Sequence, residues 1–169
     1  VCASSQGLGF ACAQELARAG CRLVINGRDA DAVEQAAAKL RQDAGVEVIA
    51  IAGDIGDPAV QADLVAAAGR PDILVNNNGG PPPRGFRDLD EAAIHAGLDA
   101  NMVTPIRLVQ QVVDGMIERR FGRIVCISSG SVKAPAGGLD LSSGARIGLI
   151  GFLAGVAREV ASANVTINF

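Results

Sequence analysis

Along this chain, short apolar runs rich in β-branched residues alternate with longer stretches of helical period, an order that few folds accept. Residues 21–26, 46–52, 73–76, 123–128 and 165–169 have the composition of strands, and residues 10–19, 31–44, 58–68, 99–120 and 142–163 that of helices. The strand runs are continuously apolar, which suits strands covered on both faces. Strands alternating with helices imply right-handed crossovers. The chain is therefore expected to be an α/β fold of three layers, a doubly wound, mostly parallel sheet with helices on both faces. Gly20, Gly45, Gly69 and Gly122 stand where helices should stop, while Asp29 to Asp31 and Asp57-Pro58 supply helix starts.

No linker, internal repeat or low-complexity segment interrupts the pattern, so residues 1–169 are expected to be a single domain. Pro81-Pro82-Pro83 reads as a stiff loop. Val1 resembles the end of a strand and Phe169 stops another abruptly, so further chain is expected at both ends. Basic residues are scattered and the formal charge is −3, which disfavours a nucleic-acid partner. No apolar run approaches the roughly 18 residues of a membrane span. Cys2, Cys12, Cys21 and Cys126 share no paired spacing and His95 is the only histidine, so no metal site is expected. Unpaired cysteines fit a reducing, cytoplasmic compartment.

In sheets of this kind ligands bind beyond the carboxyl ends of the strands, where strand order reverses. The first such segment, Ala3-Ser4-Ser5-Gln6-Gly7-Leu8-Gly9, joins a strand end to a helix. Glycines there let a pyrophosphate approach the backbone, and the helix N-terminus attracts it. A tight strand-to-helix turn would use glycines as well.

Residues 2–9 resemble the coenzyme loop of the short-chain dehydrogenases/reductases, with Gly7 and Gly9 at its second and third glycines and Ala3 at its first. Alanine there is expected to be tolerated with φ negative. The resemblance continues through Asp54-Ile55, Asn76-Asn77-Asn78-Gly79, Asn101, Gly122 to Ser129 and Gly148 to Phe152, the last two stretches being most like bacterial 3-oxoacyl-carrier-protein reductases. It implies a Rossmann fold, a nicotinamide coenzyme and a small carbonyl or alcohol substrate. By the same resemblance Asp54 reaches the adenine, Asn76 and Asn77 brace the sheet, Asn78 and Gly79 pass the coenzyme, and Asn101 holds a water in a proton relay. Helices 99–120 and 142–163 are expected to pair across two-fold axes into a homodimer or homotetramer.

Coenzyme choice is set near the end of the second strand of such a site. Asn26-Gly27-Arg28-Asp29 offers no carboxylate at Gly27 for ribose hydroxyls, and Arg28 could grip a 2′-phosphate, so NADP(H) is expected over NAD(H). Arg28 could instead be an ordinary turn residue paired with Asp29.

The resemblance also implies a serine, a tyrosine thirteen residues on and a lysine four beyond that. Ser129 matches the serine; the other two positions are Ser142 and Arg146, and the chain has no tyrosine. Serine is a far weaker acid than tyrosine, and arginine stays charged where lysine can give up a proton. Two outcomes remain open. One is an NADPH-dependent carbonyl reductase using Ser129, Ser142, Arg146 and water, with Lys133 or His95 as substitute acids. The other is a coenzyme-binding protein of little turnover, a sensor or partner subunit.

Overall fold

The computed structural model describes residues 1–169, which form two compact units, Val1–Asn77 and Asn78–Phe169. The α/β class is as expected: each unit has parallel or strand-bonded segments flanked by helices.

In the first unit the order is α1 (Gly7–Arg18), β1 (Leu23–Gly27), α2 (Ala30–Ala44), β2 (Val48–Ala52), α3 (Pro58–Ala68) and β3 (Ile73–Asn76). Strands β1 and β2 pair in parallel, with Leu23 opposite Val48 and Gly27 opposite Ala52. The opening residues bond to two strands. The Val1 amine donates to Val24 O at 2.8 Å, Cys2 N to Val75 O at 3.0 Å and Ser4 N to Asn26 O at 2.7 Å. Ala13 and Ala17 of α1 and Ala36 and Ala37 of α2 share one core with Ile25 of β1 and Leu40 of α2, the last two fully buried. Burying each such branched side chain contributes about 1.5–3 kcal/mol. Asp29 caps α2 by accepting from Ala32 N at 2.8 Å, and Asp57, with Pro58 behind it, caps α3 by accepting from Ala59 N.

The second unit runs α4 (Glu91–Leu98), a π-helical turn (Asp99–Val103), α5 (Thr104–Arg119), β4 (Gly122–Cys126), α6 (Asp140–Val160) and β5 (Val165–Asn168). Strands β4 and β5 are parallel, Gly122 opposite Val165. Leu108, Val112 and Met116 of α5, Ile124 of β4, Leu149 and Leu153 of α6 and Ile167 of β5 are buried.

Several expectations are corrected. The first helix begins at Gly7 instead of residue 10, so the glycines form its first turn. The expected helix 99–120 is a π turn followed by α5, with Pro105 in the first turn of α5, where its missing N–H costs nothing. Helix α4, capped by Asp90 through Ala93 N at 2.7 Å, was not expected. Residues 140–163 form one helical stretch holding an 18-residue window of mean hydropathy 1.2, long and apolar enough by length and composition to cross a membrane, although Arg146, Arg158 and Glu159 leave no continuous apolar run of that length. Isoleucine, leucine, valine and phenylalanine raise its hydropathy, and Ile147 and Phe152 lie exposed on it. A soluble protein's core helix satisfies the same measure.

Ala3 is a further correction. Its φ is +43°, in the left-handed region where a β-carbon crowds the backbone. The strain costs about 1–2 kcal/mol, and glycine's greater freedom in the unfolded chain offsets roughly half of that. Ala3→Gly is therefore expected to stabilise the protein by about 0.5–1 kcal/mol. That corresponds to a Tm rise of roughly 2–3 °C in thermal unfolding. An unchanged or lower Tm contradicts the strain.

Candidate coenzyme and catalytic site

The first unit carries the coenzyme loop. Ser4 is buried: its Oγ donates to Val1 O at 2.8 Å and accepts from Asn26 N at 3.2 Å, fixing the loop to the end of β1. Asn26 in turn donates through Nδ2 to Ile51 O and Gly53 O, each at 3.1 Å, joining the carboxyl ends of β1 and β2. Asn77 Nδ2 donates to Ala3 O at 3.0 Å, tying the segment after β3 to the loop before α1.

The two glycines work for different reasons. Gly7 has φ +60° with open space where a side chain would stand, so its backbone requires glycine. At Gly9 a β-carbon would run into Ala3 O and lie 2.9 Å from Ser4 Cα. Gly9 thus admits its own loop to the helix, a close approach that the sequence reading did not include.

The mouth of α1 suits an anion. Gln6 makes no side-chain cap, no acidic residue stands in the first turn, and Gln6, Gly7 and Leu8 are exposed. Its first amides therefore lack side-chain acceptors, whereas α2, α3 and α4 are each capped by aspartate. At Gly27 a β-carbon would stand 3.0 Å from Ser5 Cβ and Oγ, so a carboxylate has little room there. Arg28 is exposed and forms no ion pair; Asp29 is engaged in capping α2 and does not hold it. These residues fit a phosphorylated dinucleotide. Asp54 is exposed and accepts from Gly56 N at 2.8 Å, while Ile55 points into the core and its carbonyl accepts from Gln61 at 2.8 Å.

In the second unit Asn101 lies in the π turn, Ser129 follows β4, and Ser142 and Arg146 both lie on α6. Ser129 follows β4 and caps a short 3₁₀ turn (Gly130–Val132). Its Oγ accepts from Ser131 N at 3.2 Å and from Ser131 Oγ at 3.0 Å. Both lone pairs are then engaged, leaving its own proton to be donated outward. Ser131, buried at 7% exposure, was missed in the sequence, although the Ser-x-Ser spacing is a turn signal of its own.

Asn101 sits in the π turn at 2% exposure, with neither Nδ2 nor Oδ1 partnered by the protein. Such a group calls for an ordered water, and π turns gather at functional sites. Asn78 supports this turn: its Nδ2 donates to Ala100 O at 3.0 Å and its Oδ1 accepts from Gly79 N at 2.8 Å. Gly79 is exposed beside it.

On α6, Arg146 Nε donates to Ser142 Oγ at 3.1 Å and Nη1 to Ile127 O at 2.7 Å. Burial pushes the guanidinium below its ordinary pKa. Ser142 accepts this bond and keeps its own proton free. Gly80, without a side chain, borders Ser142; a β-carbon there would lie 3.8 Å from Oγ. Lys133 and His95 are exposed, and His95 Nε2 lies 3.6 Å from Glu91 Oε1 along α4, a surface pair.

The family model for short chain dehydrogenases matches residues 1–169. Nodulation protein G of Azospirillum brasilense is 38% identical over 169 residues, covering 96% of this chain and 68% of that protein. Acetoacetyl-CoA reductase of Cupriavidus necator is 33% identical over 166 residues, with the same coverage of each. The crystal structure of YwfH, an NADPH-dependent reductase involved in bacilysin biosynthesis, superposes with a TM-score of 0.93 at 29% identity, covering 99% of this chain and 68% of that one. The chain thus spans about two thirds of the length of each. A chain-long family match joins the glycine-paved helix mouth and the Ser129 turn in one assignment: this protein belongs to the short-chain dehydrogenase family.

Proposed function

We propose that residues 1–169 act as a single NAD(P)-binding domain that uses NADP(H) to interconvert a small carbonyl compound and its alcohol. The observation that carries this reading is Ser129, whose oxygen accepts twice from Ser131 and whose proton is thereby aimed away from the protein. The similarity to an NADPH-dependent reductase and to acetoacetyl-CoA reductase supports it.

Residues 3–9 hold the pyrophosphate at the α1 amides, Arg28 the 2′-phosphate, and Asp54 lines the adenine end, with Ile55 anchoring it to the core; Asn77, Asn78 and Gly79 shape the passage towards nicotinamide. When bound, the coenzyme supplies the hydride. Ser129 donates a hydrogen bond to the substrate oxygen and Ser142 donates a second. Arg146 holds positive charge beside Ser142, favouring negative charge developing on that oxygen. Arg146 also reaches the ribose. Asn101 holds the water that delivers the proton, because neither Ser142 nor Arg146 releases one near neutrality. Exposed Ile147 and Phe152 on α6 support self-association into a dimer or tetramer.

The coenzyme half is tested by titrating NADPH and NADH into the wild-type chain and the Arg28→Ser variant. NADPH is expected to bind at least 10-fold more tightly than NADH, and Arg28→Ser to lose roughly 10- to 100-fold of NADPH affinity, the value of a charge-assisted pair, with NADH unaffected. Equal binding of the two coenzymes contradicts the reading. Tight NADPH binding without consumption across a carbonyl panel favours the sensor.

A further inference from the structure

We infer that the substrate carries a carboxylate and that Arg146 binds it. This rests on the reductase reading above and names the substrate class for the same site.

Arg146 is a half-buried cation with no anion. The ion pairs Glu15–Arg18, Glu34–Arg41 and Lys39–Asp43 do not involve it. Its two partners, Ser142 Oγ and Ile127 O, are neutral acceptors. They fix the plane of the guanidinium without neutralising it. Of the five N–H groups an arginine carries, these bonds use one on Nε and one on Nη1, leaving both on Nη2 and the second on Nη1. A planar fork of this kind matches a carboxylate.

The surroundings favour a ligand as the missing partner. Withdrawal from water makes the unneutralised charge costly, as the lowered pKa reflects. Ser142 has a short side chain, and Gly80, exposed and without one, stands beside it, so small groups border this end of α6. A carboxylate on Arg146 leaves the Ser142 and Ser129 protons for a second substrate oxygen. A neutral ketone fills the hydrogen bonds but leaves the charge uncompensated. An oxo acid satisfies both. The reaction is then oxo acid plus NADPH plus a proton giving hydroxy acid plus NADP⁺: the carbonyl carbon gains the hydride, the C=O π bond breaks, and the oxygen takes the proton from water.

The test compares pyruvate and acetoacetate with their methyl esters as substrates of the purified chain with NADPH. It adds calorimetric titration of oxamate, a carboxylate that is not reduced, into the NADPH-loaded protein. Each acid is expected to exceed its ester in kcat/KM by roughly 10- to 100-fold, the worth of a charge-assisted fork. In Arg146→Gln the acid preference should fall to near unity and oxamate binding should be lost, with the thermal midpoint of the variant checked against wild type. Arg146→Lys should keep part of the preference, which a purely structural role would not produce. Esters reduced as fast as acids, with oxamate unbound, overturn the carboxylate assignment and leave the reductase reading standing. Oxamate binding that depends on Arg146, with neither acid nor ester reduced, supports the carboxylate site and overturns the reductase. Neither binding nor turnover overturns both.

Discussion

Gly9→Ala is expected to lower stability by about 2–3 kcal/mol, because a single methyl must displace backbone and not a flexible side chain. The added carbon meets Ala3 O, stands 2.9 Å from Ser4 Cα and lies 2.8 Å from Asn77 Nδ2. Relief requires moving the loop away from α1. That move stretches the Asn77–Ala3 bond and the Ser4 bonds to β1 that fix the loop. In a chain of this size the loss corresponds to a Tm lower by roughly 5–10 °C. NADPH affinity should fall along with stability, since the amides that meet the pyrophosphate belong to the displaced turn. A variant with unchanged Tm and unchanged affinity contradicts the close approach. Gly7→Ala is the informative contrast, because space is open there and only the positive φ resists.

Ser129→Ala is expected to reduce kcat by about 10²-fold, the usual cost of removing one donor to a developing oxyanion. Affinity for NADPH should stay the same, since the Ser129 hydroxyl is assigned to the substrate oxygen and not to the coenzyme. Ser131 makes this donor directional. With N–H and Oγ both given to Ser129 Oγ, the serine cannot turn its proton inward. Threonine at position 129 keeps the hydroxyl and should recover a substantial part of the rate. Activity within a few-fold of wild type in Ser129→Ala contradicts the assignment.

Much of the fold could be read in the sequence, because each strand run and each helical period states its own burial. Asp29 and Asp57 marked their helices through the chemistry of the cap. What escaped depends on contacts distant in sequence. The φ of Ala3 follows from bonding to β1 and β3, which no local pattern records. The π turn at Asp99–Val103 arises from the placement of Asn101 in the interior; Pro105 was the local hint that a new helix starts there. Helix α4 lay in a stretch whose apolar residues are mostly exposed, so its period was weak. At the candidate site, residue types were legible, but Ser131 and the bond from Arg146 to Ser142 were not. Each depends on where two side chains meet after folding.

Hydride transfer itself is the most direct test. NADPH deuterated at the transferring face of nicotinamide C4, incubated with the chain and an accepted carbonyl substrate, should yield an alcohol with deuterium on the carbinol carbon and one equivalent of NADP⁺. Coenzyme that binds tightly while no deuterium reaches any product would contradict the account and leave a nucleotide-binding protein without reductase chemistry.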